Sequence, residues 1–170
     1  EAQLDRFLLY VRIDYPDTEA ELEILRLVRA ESVTRNDTGD PAIVTERQAS
    51  RLSQAQIFAA RGEVLALHLA PALERYLVEL VLATRQAERY GDDLRRWIAF
   101  GASPRASIAL DRVSRARAWL HGRDYVSPED IQAVAHEVLG HRVLLTYEAQ
   151  ADGVDSQQVV STLLDRVSVP

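Results

Sequence analysis

Lysine is absent from this chain, and all 20 of its basic residues are arginine. A phosphate-binding loop of the G-x-x-x-x-G-K-[ST] type needs a lysine for the β and γ phosphates, so these residues contain no such loop. Nor does any apolar strand end in the adjacent acidic residues that would hold Mg²⁺. Cysteine is also missing, which removes disulfides and thiolate metal sites and fits a cytoplasmic setting. There is no methionine, even at position 1, so the chain is expected to start inside a longer reading frame or after processing. No apolar run approaches the roughly 20 residues of a membrane span, and no charged-then-apolar secretion signal opens the chain, so a soluble protein is expected. A net charge of -6 argues against a nucleic-acid surface, although the arginines could still cluster locally.

What remains reads as helix. The 170 residues, 47% of them hydrophobic, suit one domain with a real core. Phe7 to Tyr15 is a β-rich run closed by Pro16, and if such a strand is left without sheet partners it is expected to be disordered or paired with something foreign. Thr18 and Glu21 have capping-box spacing, and Leu22, Ile24, Leu25 and Val28 predict an apolar helical face up to about Ala30. A mobile loop is expected over about 31–50, where turn formers replace periodicity. Ser53 to Arg61 predicts a short helix broken at Gly62. From about Pro71 to Glu88, Leu73, Tyr76, Leu77, Leu80, Val81 and Thr84 recur at three and four, although Ala70 supplies no cap. Gly91 to Gly101 reads as a connection containing Trp97.

The next helix starts at Pro104, with Ala109, Val113, Ala116 and Leu120 as its expected apolar stripe and Arg105, Arg112, Arg115 and Trp119 on an adjoining face. Ser127, Pro128, Glu129 and Asp130 spell a cap and an acidic first turn, followed by Ile131, Val134, Ala135, Val138 and Leu139 as a buried side ending near Gly140. His141 to Tyr147 alternates weakly, as extended chain does, and Asp155 with Gln158 caps a last helix that buries Val159, Val160, Leu163 and Leu164. The predicted architecture is mainly α, a helical bundle with one N-terminal β-strand.

Two familiar chemistries fail on spacing. H-E-V-L-G-H at His136 to His141 has one residue more than the zinc motif H-E-x-x-H, which puts the imidazoles about 140° apart around a helix, so no metal site is expected. G-A-S-P-R lacks the second glycine of G-x-S-x-G, which argues against a serine hydrolase. The same stretch, Gly101 to Ala106, does break a rule of its own. Ser103 is a good cap and Pro104 suits the first helical position, but Arg105 then adds a cation to a helix end that is already positive. Such a placement makes sense when an anion arrives, and a phosphate is the expected one. The plain alternative is a solvated surface arginine. For the Arg112, Arg115 and Arg117 group a solvated face is the expectation, and Arg123 is expected to fix the turn before Ser127, with Tyr125 and Val126 as apolar staples.

Three segments carry a resemblance: G-A-S-P-R-A-S from Gly101, G-R-D-Y-V-S-P-E-D-I from Gly122 and H-R-V-L-L-T-Y-E-A from His141. Together they resemble the C-terminal part of a MoxR-type AAA+ ATPase, and E-A-Q-L-D-R-F from Glu1 is similar to the stretch that closes the ATPase core of that family. The resemblance implies that residues 1–16 end the core, with an arginine-finger segment and its last strand, and that 17–170 form a helical lid. It implies that Arg105 is the sensor-2 arginine reaching the ATP γ-phosphate, with Ser103 and Pro104 beside it. Arg6 would be the arginine finger offered to a neighbouring subunit. ATP and Mg²⁺ would belong to the parent protein, with neither held tightly by this piece alone, which could not hydrolyse ATP by itself. The implied partners are the chain's own N-terminal ATPase core, the neighbouring subunits of a ring, commonly a hexamer, and von Willebrand A domain proteins. The implied role is cytoplasmic and chaperone-like, maturing or activating clients. The alternatives are a lid of the magnesium-chelatase or minichromosome-maintenance type, and a stand-alone helical adaptor or DNA-binding module.

Overall fold

The computed structural model describes residues 3–38 and 52–170 and is dominated by helices. Two compact units emerge, one of 1–11 with 60–170 and one of 12–59.

In the larger unit the core is built from α3 (Pro71–Arg85), α5 (Pro104–Leu120), α6 (Pro128–Leu139) and α8 (Ser156–Arg166). The three-and-four spacing of α3 does what it predicts, since Leu73, Tyr76, Leu77, Leu80, Val81 and Thr84 are all buried. Its N-cap, Ala70, makes no side-chain cap bond. A missing cap costs about 1 kcal/mol, which the buried face of this helix outweighs. α6 buries all five expected apolar residues, and Ser127 with Asp130 closes the capping box at its start. Asp155 caps α8 by accepting from the Gln158 amide at 2.8 Å.

The α5 stripe is rotated from its expected place. Ala106, Ala109, Leu110, Ser114 and Ala118 are buried, whereas Leu120 is 75% exposed. Buried positions 106, 110, 114 and 118 recur every four residues, and four of the five buried residues of α5 are alanine or serine, Leu110 being the exception, which lets α6 approach closely. The neighbouring arginines are not merely solvated. Arg117 bonds Asp130 at 2.6 Å, and Arg123 bonds both Asp130 oxygens at 2.6 and 2.5 Å, so one fully buried carboxylate ties α5, the 121–127 turn and α6 together. Arg115 pairs with Asp111 at 2.8 Å and donates to the Leu67 carbonyl. Arg123 therefore fixes its turn as expected. Of the two staples Val126 is buried, while Tyr125 is half exposed.

Segments read as connections hold short elements. Gly91 to Gly101 contains α4 (Asp92–Trp97) and β1 (Ile98–Phe100), and β1 pairs antiparallel with β2 (Leu144–Leu145) in the register Ile98↔Leu145 and Phe100↔Leu144. These elements are too short for periodicity to show. A helix α7 (Tyr147–Ala151) follows β2, capped by Thr146.

The smaller unit contains α1 (Thr18–Thr38), which continues eight residues past the expected end at Ala30. The rest of the predicted loop, 39–50, lies outside the described residues. The apolar face of α1 is about half exposed, Leu22 at 45% and Val28 at 53%. α2 (Gln54–Ala66) runs through Gly62 rather than breaking there. A glycine inside a helix costs about 1 kcal/mol relative to alanine and does not by itself stop one.

No strand forms at Phe7 to Tyr15, because no neighbouring strand pairs with it among the described residues. The segment is nevertheless attached at its start. Leu4–Arg6 is a 3-10 turn, and the Tyr10 amide donates to the Glu137 carbonyl of α6 at 2.9 Å. Beyond that tie Ile13 and Tyr15 are almost fully exposed. No described helix is long and apolar enough to cross a membrane.

Candidate functional site at the start of α5

The turn before α5 is held from below by α3. Gly101 passes so close that a Cβ there would lie 2.4 Å from the Thr84 carbonyl oxygen, which only glycine permits. Thr84 Oγ1 accepts from the Ala102 amide at 2.9 Å, and Arg85 Nε donates to the Ala102 carbonyl at 2.6 Å. Ser103 then adopts extended N-cap geometry and its Oγ accepts from the Arg105 amide at 3.2 Å. Pro104, at the first helical position, sets the backbone angle and has no N–H to offer a ligand.

An anion does meet Arg105, and it is a carboxylate of the same chain. Asp5 takes the Ser103 hydroxyl at 2.9 and 2.8 Å, Arg105 at 3.0 Å and Arg142 Nε at 3.2 Å. Burial by itself would raise the Asp5 carboxyl, but hydrogen bonds from Ser103 and Arg105 and the charge of Arg142 outweigh it and hold the group below its ordinary 3.8. The folded state therefore binds this proton more weakly than the unfolded chain. The stabilisation is complete above pH 3.8 and is lost as pH falls through the lowered value. Melting temperatures of the wild type and Asp5→Asn should accordingly differ at neutral pH and converge in acid. A constant gap down to strongly acidic pH would exclude Asp5 as the titrating group.

Arg142 is the part of this site that the sequence hid. Its side chain is 2% exposed, and besides Asp5 it serves the Phe7 and Val138 carbonyls at 2.5 Å each and those of Asp5 and Leu8 at 3.3 Å. It clamps residues 5–8 to the end of α6. A cation just past a helix C-terminus is ordinary, so nothing singled it out; the clue was its position between Leu139 and Val143, both buried. The ring of His141 beside it lies 6.1 Å from that of Tyr10, tilted by 34°. Burial and the Arg142 charge lower the His141 pKa.

Arg6 is exposed at the end of the 3-10 turn, and its guanidinium makes no hydrogen bond or ion pair among the described residues. A plain reading would pair Arg6 locally with Asp5 or Glu1; Asp5 is already engaged by Ser103, Arg105 and Arg142, and Glu1 lies outside the described residues. Arg105 keeps 56% of its side chain exposed. The structure thus brings Arg105 and Ser103 together with the residue next to Arg6, and it leaves both arginine heads accessible.

A hydroxyl and a guanidinium that already hold an anionic oxygen fit a phosphate oxygen equally well. The same donors repel a metal ion, and no group of three His, Asp or Glu among the described residues could hold one.

Residues 94–163 match the AAA lid domain. Along its full length the chain is 37% identical to chaperone MoxR1 of Mycobacterium tuberculosis, and over 90% of its length it is 33% identical to protein MoxR of Paracoccus denitrificans. The chain belongs to the MoxR-type AAA+ family. A crystal structure from Cytophaga hutchinsonii, provisionally assigned as an ATPase, superposes with a TM-score of 0.85 over 99% of the chain at 37% identity. The chain spans about half the length of these relatives: 42% of MoxR1, 46% of the Paracoccus protein and 48% of the Cytophaga chain.

Proposed function

We propose that this MoxR-type lid senses ATP through Arg105 and belongs to a full-length ATPase that matures or activates client proteins. The observation that carries the proposal is the start of α5, where Ser103 and an accessible Arg105 already grip an anion. In the full protein nucleotide would sit between the ATPase core and the lid, with Arg105 meeting the γ-phosphate and Ser103 next to it. Phosphoryl transfer spreads negative charge over the γ-phosphate oxygens, and a planar guanidinium is suited to stabilise it. Arg6, exposed and unengaged, would act on the nucleotide of the next subunit in a ring of six. ATP and Mg²⁺ would be bound mainly by the core, and von Willebrand A domain proteins would be the partners, in the cytoplasm.

The adaptor or DNA-binding alternative needs a basic face. Arg96, Arg115, Arg117, Arg123, Arg142 and Arg166 are instead each paired with a carboxylate, which leaves no such face built from them.

Calorimetric titration tests the division of labour. The isolated 170 residues should show no micromolar binding of Mg-ATP, because they include no phosphate-loop lysine, whereas the full-length protein should bind and hydrolyse it. Tight magnesium-dependent binding by the isolated chain would contradict the proposal, as would a full-length protein that ignores ATP.

A further inference from the structure

Asp5 has three holds of unequal permanence. Ser103 and Arg142 are fixed, the first as a helix cap and the second by its burial and its backbone acceptors. Arg105 is mostly exposed and makes a single bond to Asp5, so it can leave. The next residue is Arg6, in the same 3-10 turn, where the Arg6 amide bonds the Gln3 carbonyl at 3.2 Å and the Phe7 amide bonds that of Leu4 at 3.0 Å. The Asp5 carboxylate and the Arg6 guanidinium thus hang from one short hydrogen-bonded turn.

We propose that Asp5 is a positioning residue that couples Arg105 to Arg6, because its carboxylate and the γ-phosphate compete for the Arg105 guanidinium. The coupling rests on the reading of Arg105 and Arg6 given above. Without ATP, Asp5 is shared between Arg105 on one side and Arg142 on the other. When a phosphate takes Arg105, which it can bind through two parallel N–H bonds, Asp5 recentres on Arg142 and Ser103 and the turn follows. The state of one nucleotide site thereby sets how the finger is presented to the neighbouring site. Arg6 itself needs no direct contact with Arg105.

Mixed rings of the full-length ATPase separate this role from a merely structural one. One subunit type carries Asp5→Asn and a nucleotide site of its own that binds ATP but cannot hydrolyse it, and the other carries Arg6→Ala and an intact site. Every competent site beside an Asp5→Asn subunit then depends on that subunit's Arg6. Against the same mixture with Asp5 intact, turnover should fall about tenfold to a hundredfold, the scale of a catalytic group misplaced by roughly 1 Å, with KM changed by less than about twofold. Equal turnover in the two mixtures would overturn the coupling. Uniform Arg6→Ala and Arg105→Ala rings tell the two layers apart. If both are slow while the Asp5→Asn mixture is normal, only the coupling fails. If both turn over normally, the underlying reading falls and the coupling falls with it.

Should Asp5→Asn subunits fail to assemble, hydrogen exchange on rings with Asp5 intact gives the second test. A non-hydrolysable ATP analogue should change exchange at the Arg6 and Phe7 amides in the wild type and leave it unchanged in Arg105→Ala. Identical responses in the two proteins would overturn the proposal.

Discussion

Arg105→Ala in the full-length ATPase is expected to cut turnover a hundredfold to a thousandfold while leaving the fold intact. A guanidinium aimed at the γ-phosphate stabilises charge that develops in the transition state, and losing such a contact costs about 3 to 4 kcal/mol in the barrier. Stability involves a different balance. The Arg105 side chain is 56% exposed, and its pair with Asp5 is of the surface kind, worth about 0 to 1 kcal/mol. Removing a cation from a helix N-terminus returns a similar fraction of that. The two nearly cancel, so the melting temperature should stay close to wild type. Arg105→Lys should not restore turnover, because a point ammonium cannot reproduce the planar fork. Thermal melting and steady-state hydrolysis on the same three proteins check this. Unchanged turnover in the alanine variant would make Arg105 an ordinary surface residue.

The helices that a reader of the sequence finds most easily are those with long, one-sided burial. α3 and α6 bury every residue their spacing predicts, because each presents a full face to the bundle. α5 misled for a definable reason. Its buried positions include Ser114 and several alanines, so hydrophobicity gave little contrast and Leu120 drew the stripe toward solvent. β1 and α4 escaped because elements of three and six residues do not complete enough periods to show one, whereas β2 lies within His141 to Tyr147, whose weak alternation reads as extended.

The site divided along another line. Ser103, Pro104 and Arg105 were legible because a cap, a first-position proline and a misplaced cation depend only on neighbours in sequence. Asp5 and Arg142 were not, since Asp5 meets Ser103, Arg105 and Arg142 at separations of 98, 100 and 137 residues, and a buried arginine looks like an exposed one in a string of letters. The Asp130 hub was half legible. Its cap role lay in the S-P-E-D spelling, but its bonds to Arg117 and Arg123 needed the fold.

Arg142→Met should detach the N-terminal segment from the bundle without melting the bundle. The guanidinium is the only described side chain that bonds the Phe7 and Leu8 carbonyls, apart from His141 at 3.4 Å on Phe7, and its loss also strips one cation from a partly buried Asp5. Breaking a buried pair by removing one partner costs about 3 to 5 kcal/mol, and the 20% exposure of Asp5 places this case at the low end. Most of that cost falls on residues 3–10, whose other ties are the Asp5 bonds to Ser103 and Arg105, His141 on the Phe7 carbonyl and the Tyr10 amide on the Glu137 carbonyl, so the opening is local and greatest toward Tyr10. Hydrogen exchange should show the Tyr10 amide losing protection while the amides of α3 stay protected. Arg142→Lys should recover little, because an ammonium has three donors where the arginine meets five acceptors in two directions. In a double-mutant cycle, Asp5→Asn should cost clearly less in the Arg142→Met background than alone, since both remove the same contact. Strict additivity, or a Tyr10 amide that stays protected, would show that something other than Arg142 holds the segment in place.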